Sequence, residues 1–159
     1  MMIFFGGCSF STSQKNIPVM ADSPQNAEYF IDGKKFHLEN GQVFQNIPNL
    51  TIRYFVSFFN DPVYGDLNSD GAEDSAVILS QEVEKGKGKF FYVSVALRDP
   101  TTKKFLGLNS ILLGDRIFIE KFTLQNQSIS IAYQIEKSPE TLVTRKFSVE
   151  EYQLVENTR

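Results

Sequence analysis

Short runs of alternating apolar and polar residues, turn dipeptides at close intervals, and a composition with 15 Phe and 6 Tyr predict an all-β chain. The expected architecture is mainly antiparallel sheet, sandwich- or barrel-like, with little or no helix. The length of 159 residues suits a single domain, large enough to bury roughly two thirds of its unfolded surface without a disulfide. No stretch carries the 3.6-residue periodicity of a three-turn amphipathic helix.

Residues 29–31 and 35–38 flank Asp32-Gly33, a dipeptide that tolerates the two positive φ angles of a tight hairpin. Asn40-Gly41 supplies a second turn. Residues 51–59 read as a strand with bulky side chains on both faces, 75–80 as a short apolar strand, and 89–97 as another. The clearest pair is 116–124 against 128–135, turned by Gln125-Asn126-Gln127. In its second strand Ile129, Ile131, Tyr133 and Ile135 share one face and Ser128, Ser130, Ala132 and Gln134 the other. Residues 142–149 form a further strand, and 150–155 a last strand or one helical turn.

Between the strands ending near Gly65 and beginning at Ser75, oxygen-bearing residues recur at alternate positions. Asp66, Asn68, Asp70 and Asp74 occupy positions 1, 3, 5 and 9 of a nine-residue loop, with the Ala72 carbonyl at position 7 and Gly71 at the bend. Ca²⁺ takes six to eight hard oxygens at roughly 2.3–2.6 Å, which such a turn brings to one point. These five residues are the expected ligands. An EF-hand is excluded, because position 12 is Val77 and the flanks are strands. A nine-residue loop of this kind is similar to those of FG-GAP propeller blades, yet the pattern occurs once, so the chain is not a propeller. The plainer alternative is a Gly-centred turn in which Asp66 and Asn68 cap backbone amides.

At the other end, the apolar run Met1-Met2-Ile3-Phe4-Phe5 leads through Gly6-Gly7 to Cys8, the lone cysteine, and then Ser9. That order resembles a bacterial lipobox, which implies lipidation of Cys8 after cleavage before it. Ser9 resembles outer-membrane sorting, so the expected location is the cell envelope, on the periplasmic face of the outer membrane. The seven residues before Cys8 contain no Lys or Arg, and a working signal segment has a basic region; such a region is expected upstream. The alternative is that residues 2–5 form a first strand and Cys8 is a small buried thiol. Residues 1–7 are therefore read as the remnant of a signal segment, 8–26 as a polar tether rich in Ser, Thr, Gln, Asn and Pro, and 27–157 as one calcium-binding domain.

Charge and composition remove several partner classes. A net charge of −3 argues against nucleic acid and against an anionic bilayer surface, both of which need concentrated Lys and Arg. The membrane is instead reached through the lipid anchor at Cys8. One His and one Cys leave no set of ligands for zinc, so any metal is oxygen-bound. His37 reads as a surface histidine, Asp115-Arg116 as a turn in which the cation neutralises a nearby carboxylate, and Gly86-Lys87-Gly88-Lys89 as a hairpin tip rather than a phosphate loop.

Several segments taken in order carry a wider resemblance: Ala27-Glu28-Tyr29-Phe30-Ile31-Asp32-Gly33, Leu38-Glu39-Asn40-Gly41, the loop from Tyr64 through Val77, Gly88-Lys89-Phe90-Phe91-Tyr92-Val93, and Asn109 through Ile117. The chain resembles a family of largely uncharacterised bacterial lipoproteins and secreted proteins built around a GDLNGDG-type loop. That family commonly has Gly where Ser69 stands, and a Gly-Ser-Gly-Thr-Phe segment where this chain has Gly86-Lys87-Gly88-Lys89-Phe90. The resemblance implies an envelope lipoprotein with one β-rich domain and supplies no activity. The expected function is non-catalytic, a β domain stabilised by one Ca²⁺ that binds an envelope protein or a glycan. The alternative is a periplasmic hydrolase with carboxylates as acid and base, for which the sequence selects no pair.

Overall fold

A computed structural model describes residues 19–158, and the architecture is all-β and antiparallel. Cys8 and the lipobox lie outside the described residues. The hairpin at Asp32-Gly33 joins β1 (Glu28–Ile31) to β2 (Lys34–His37), with Ile31 opposite Lys34. Both turn residues have positive φ, 48° and 74°, as a two-residue connection that follows the strand twist requires. β3 (Gln42–Asn46) and β4 (Arg53–Phe58) then pair, followed by the short β5 (Val63–Gly65) and the two long central strands β6 (Asp74–Val83) and β7 (Lys89–Arg98). β8 (Phe105–Gly107) and β9 (Ile111–Asp115) both pair with β7.

These seven strands make one sheet in the order β3-β4-β6-β7-β8, in which β5 lies beyond the end of β4 along β6 and β9 beyond the end of β8 along β7. The second sheet is a meander of β10 (Ile117–Gln125), β11 (Ser128–Ile135), β12 (Ser138–Glu150) and β13 (Gln153–Glu156). Its first turn places Asn126 and Gln127 at φ 50° and 62°. Residues 153–156 are a strand, reached by the same kind of turn at Glu151 and Tyr152, with φ 46° and 62°.

Two hydrophobic layers hold the sheets together, because the seven-stranded sheet is covered on both faces. Ala76, Ile78, Val93 and Val95 face Ile129, Ile131, Tyr133 and Phe147 of the meander. Val77, Leu79, Tyr92 and Ala96 face Tyr29, Ile31 and Phe36 of the first hairpin. Burial on both faces explains why the central strands carry no polar alternation. Polar bonds join the layers as well: Arg145 Nη1 donates to the Leu112 carbonyl at 2.7 Å and Tyr133 Oη to the Leu113 carbonyl at 2.9 Å.

The polar segment before residue 27 already belongs to the domain from Ala21 onward. Ala21 exchanges two backbone hydrogen bonds with Phe105, at 2.8 and 2.7 Å. Pro24 is buried in a 3-10 turn, where its carbonyl accepts from the buried Tyr29 hydroxyl at 2.8 Å. The Gln25 carbonyl accepts from Gly41 N. Main-chain pairing with the domain, rather than an apolar side-chain pattern, holds these residues in place.

Candidate metal centre

The loop expected to bind calcium joins β5 to β6, and the strand register closes it. Gly65 pairs with Asp74, so position 1, Asp66, leaves one strand beside the point where position 9, Asp74, enters the other. Leu67 points inward and is buried in the main core, which anchors the loop while Asn68 and Asp70 stay exposed. The bend is made by Ser69 at φ 62° and Gly71 at φ 82°. Left-handed backbone at position 4 favours glycine, and Ser69 adopts it here. The Ser69 hydroxyl accepts a hydrogen bond from Gln127 Nε2, tying the loop to the β10–β11 turn.

The carboxylates are held by main-chain amides. Asp66 Oδ2 accepts from Gly71 N at 2.9 Å and Asp70 Oδ1 from Ala72 N at 2.8 Å. Asn68 and Asp70 are linked twice, Asn68 Nδ2 donating to Asp70 Oδ2 at 3.0 Å and Asp70 N to Asn68 Oδ1 at 3.3 Å. Asp74 is fully buried and accepts from Leu67 N and Arg98 N, both at 2.8 Å. Burial pushes its carboxyl above the usual carboxylate range; the two N–H bonds pull it back, and the charges of Asp70 and Asp66 raise it again.

Among the described residues no three His, Cys, Asp or Glu side chains converge closely enough to cage an ion as they stand. The capping turn is formed, with Asp66 and Asn68 both accepting from loop amides. The donor set nonetheless suits a hard cation. Asp66 Oδ1 is buried with no hydrogen-bond partner, and leaving such an acceptor bare costs roughly 1–3 kcal/mol. Among the described residues no Lys or Arg pairs with Asp66, Asp70 or Asp74. Each carboxylate oxygen that accepts one N–H still has a second lone pair.

His37 is exposed and lies 3.7 Å from Glu28. Arg116 bridges Asp115 at 3.1 Å and Glu136 at 3.4 Å in its turn, and Gly86 through Gly88 connect β6 to β7. One feature had no signal in the sequence. An open groove of about 650 Å³ runs past the ends of β3 and β4, lined by residues from three separate stretches, Gln25, 40–42, and Phe55 with 57–62. Its residues are scattered amides and phenyl rings with no fixed spacing. Asp61 is the one ionisable group lining it among the described residues.

No family model, curated protein or solved structure matches this chain.

Proposed function

We propose that the chain is a non-catalytic lipoprotein of the bacterial cell envelope, anchored through Cys8, with a β domain stabilised by one Ca²⁺. The ion is held by Asp66, Asn68, Asp70, the Ala72 carbonyl and Asp74, and the domain binds an envelope protein or a glycan. The observation that supports the metal reading is the buried, partnerless Asp66 Oδ1 in a loop that also carries Asp70 and Asp74, with no pairing Lys or Arg among the described residues. Calcium supplies the missing positive charge, and periplasmic or extracellular concentrations fill even a modest site. The hydrolase alternative needs a pair of carboxylates, and Asp61 is the one carboxylate that lines the groove among the described residues.

Calcium binds the folded loop alone, so it should add RT ln(1 + [L]/Kd), about 2.7 kcal/mol at a hundredfold excess over Kd. Titration calorimetry with CaCl₂ should show one site, and EDTA should lower the melting temperature by several degrees. Mg²⁺ should substitute poorly, since it demands an octahedral shell at about 2.0–2.1 Å. No heat at millimolar Ca²⁺ together with a melting temperature indifferent to EDTA would leave the loop a capped turn. For the anchor, palmitate label should enter the expressed protein and be lost in Cys8→Ser; label that persists in the variant removes the lipoprotein claim.

A further inference from the structure

The groove past the ends of β3 and β4 combines two kinds of surface. Phe58 and Phe59 present phenyl rings, Phe59 being 43% exposed and braced edge-on by Phe91 at a centroid distance of 4.8 Å. Four primary amides, Gln25, Asn40, Gln42 and Asn60, line the same space. None of these four side-chain amides takes part in a side-chain hydrogen bond among the described residues, and Asn60 Oδ1 is buried without any partner. The fold does not use these groups. The aromatic surface continues along the strands from Phe55 of the groove wall, on which Phe44, 58% exposed, stacks at 4.5 Å and 26°.

We infer that this groove is a binding site for a neutral oligosaccharide. The inference deepens the reading of the chain as a non-catalytic binding domain, and it is independent of the calcium loop and the anchor. Each sugar hydroxyl is both donor and acceptor, and a primary amide offers both in one plane. The C–H face of a pyranose is apolar and slightly positive, matching the negative face of a phenyl ring. Anionic ligands are disfavoured, because the one charged lining group among the described residues is the carboxylate of Asp61 and phosphate or sulfate recognition needs Arg or Lys. The open shape admits a chain that enters and leaves the groove rather than an enclosed small molecule.

The test is calorimetry and saturation-transfer NMR on the purified full chain with three probes, cellohexaose, maltohexaose and N-acetylchitohexaose. At least one should bind with Kd of about 1 mM or tighter, near −4 kcal/mol, and its ring protons should receive saturation from Phe resonances. Phe59→Ala and Gln42→Ala, both at exposed positions, should each weaken it about tenfold, and Asn60→Ala likewise. Should Asn60→Ala fail to fold, the two exposed variants decide alone. Absence of binding for all three probes, or binding indifferent to Phe59→Ala and Gln42→Ala, overturns the inference. The calcium response of the same samples separates the readings: if it persists while no saccharide binds, the groove inference fails by itself. Saccharide binding without a calcium response sustains the groove and removes the metal, and cleavage of a bound probe sustains the groove while removing the non-catalytic reading.

Discussion

Asp74 and Asp70 are both proposed calcium ligands, yet they carry different structural duties. Asp74 is fully buried and its two oxygens hold amides of the loop and of β7, Leu67 N and Arg98 N. Asp70 is exposed and holds only its neighbours Asn68 and Ala72. An amide at position 74 keeps one acceptor and gains a donor that faces an N–H. Asp74→Asn should therefore destabilise the domain by roughly 1–3 kcal/mol even in EDTA, the cost of a buried donor left bare. Asp70→Ala should cost less than about 1 kcal/mol in EDTA and should abolish the gain from Ca²⁺. Urea unfolding of both variants with and without calcium checks the pair; equal losses in EDTA would contradict the assigned division. Ser69→Gly should leave the calcium gain intact, since that hydroxyl faces Gln127.

At the scale of elements, the β10–β11 hairpin shows what the sequence could reveal and where it could not. Period-2 alternation in 128–135 puts Ile129, Ile131, Tyr133 and Ile135 on one face; the first three are buried and Ile135, at the strand end, is partly buried against the same core, while Ser128, Ser130, Ala132 and Gln134 are partly open. The pattern is legible there because one face meets the core and the other does not. It is illegible in β6, where eight successive residues from Asp74 are buried because both faces are covered. β3 carries little signal for another reason: Gln42, Phe44 and Asn46 are exposed on an edge strand, and Val43 is the one apolar residue on its partly covered face. The Glu151-Tyr152 turn lacks Gly or Asn, which left 150–155 open between strand and helix. The loop itself was legible because its spacing is local. The groove draws on residues brought together only by folding. Ile131→Asp should unfold the domain, since it buries an unpaired charge. Ser130→Asp sits opposite Lys146 and should shift stability by less than about 1 kcal/mol. Circular dichroism and thermal melts on both variants provide the check, and similar behaviour would mean the face assignment is wrong.

For the whole molecule, the question is what fixes one sheet against the other beyond apolar contact, and Arg145 is the main polar answer. Its guanidinium grips Glu156 with two bonds, Nε to Oε1 at 2.7 Å and Nη2 to Oε2 at 2.6 Å, lies over Phe147, and donates Nη1 across the interface to the Leu112 carbonyl. Asn109 adds a second tie, pairing with both the N–H and the carbonyl of Leu154 like a strand residue. Arg145→Met keeps the stem over Phe147 and deletes every one of the Arg bonds, so it should lower stability at neutral pH by about 2 kcal/mol. The acid behaviour follows from Glu156. Its hydrogen bonds to Arg145 hold the carboxyl below the usual range, against a smaller opposing effect of burial. A carboxylate depressed in the folded state contributes fully above its unfolded pKa, about 4.3 for Glu, and that contribution is lost as pH falls through the lowered folded value. In EDTA, which removes any metal contribution, the stability of the wild-type chain should fall more steeply than that of Glu156→Gln below about pH 4.3. The two curves should converge at the acid end. Glu156 is one-third exposed, so salt should narrow the difference, with a Debye length near 3 Å at about 1 M. Stability curves that run parallel from pH 7 to the acid limit would show that the clamp contributes packing alone and that its charge does not matter.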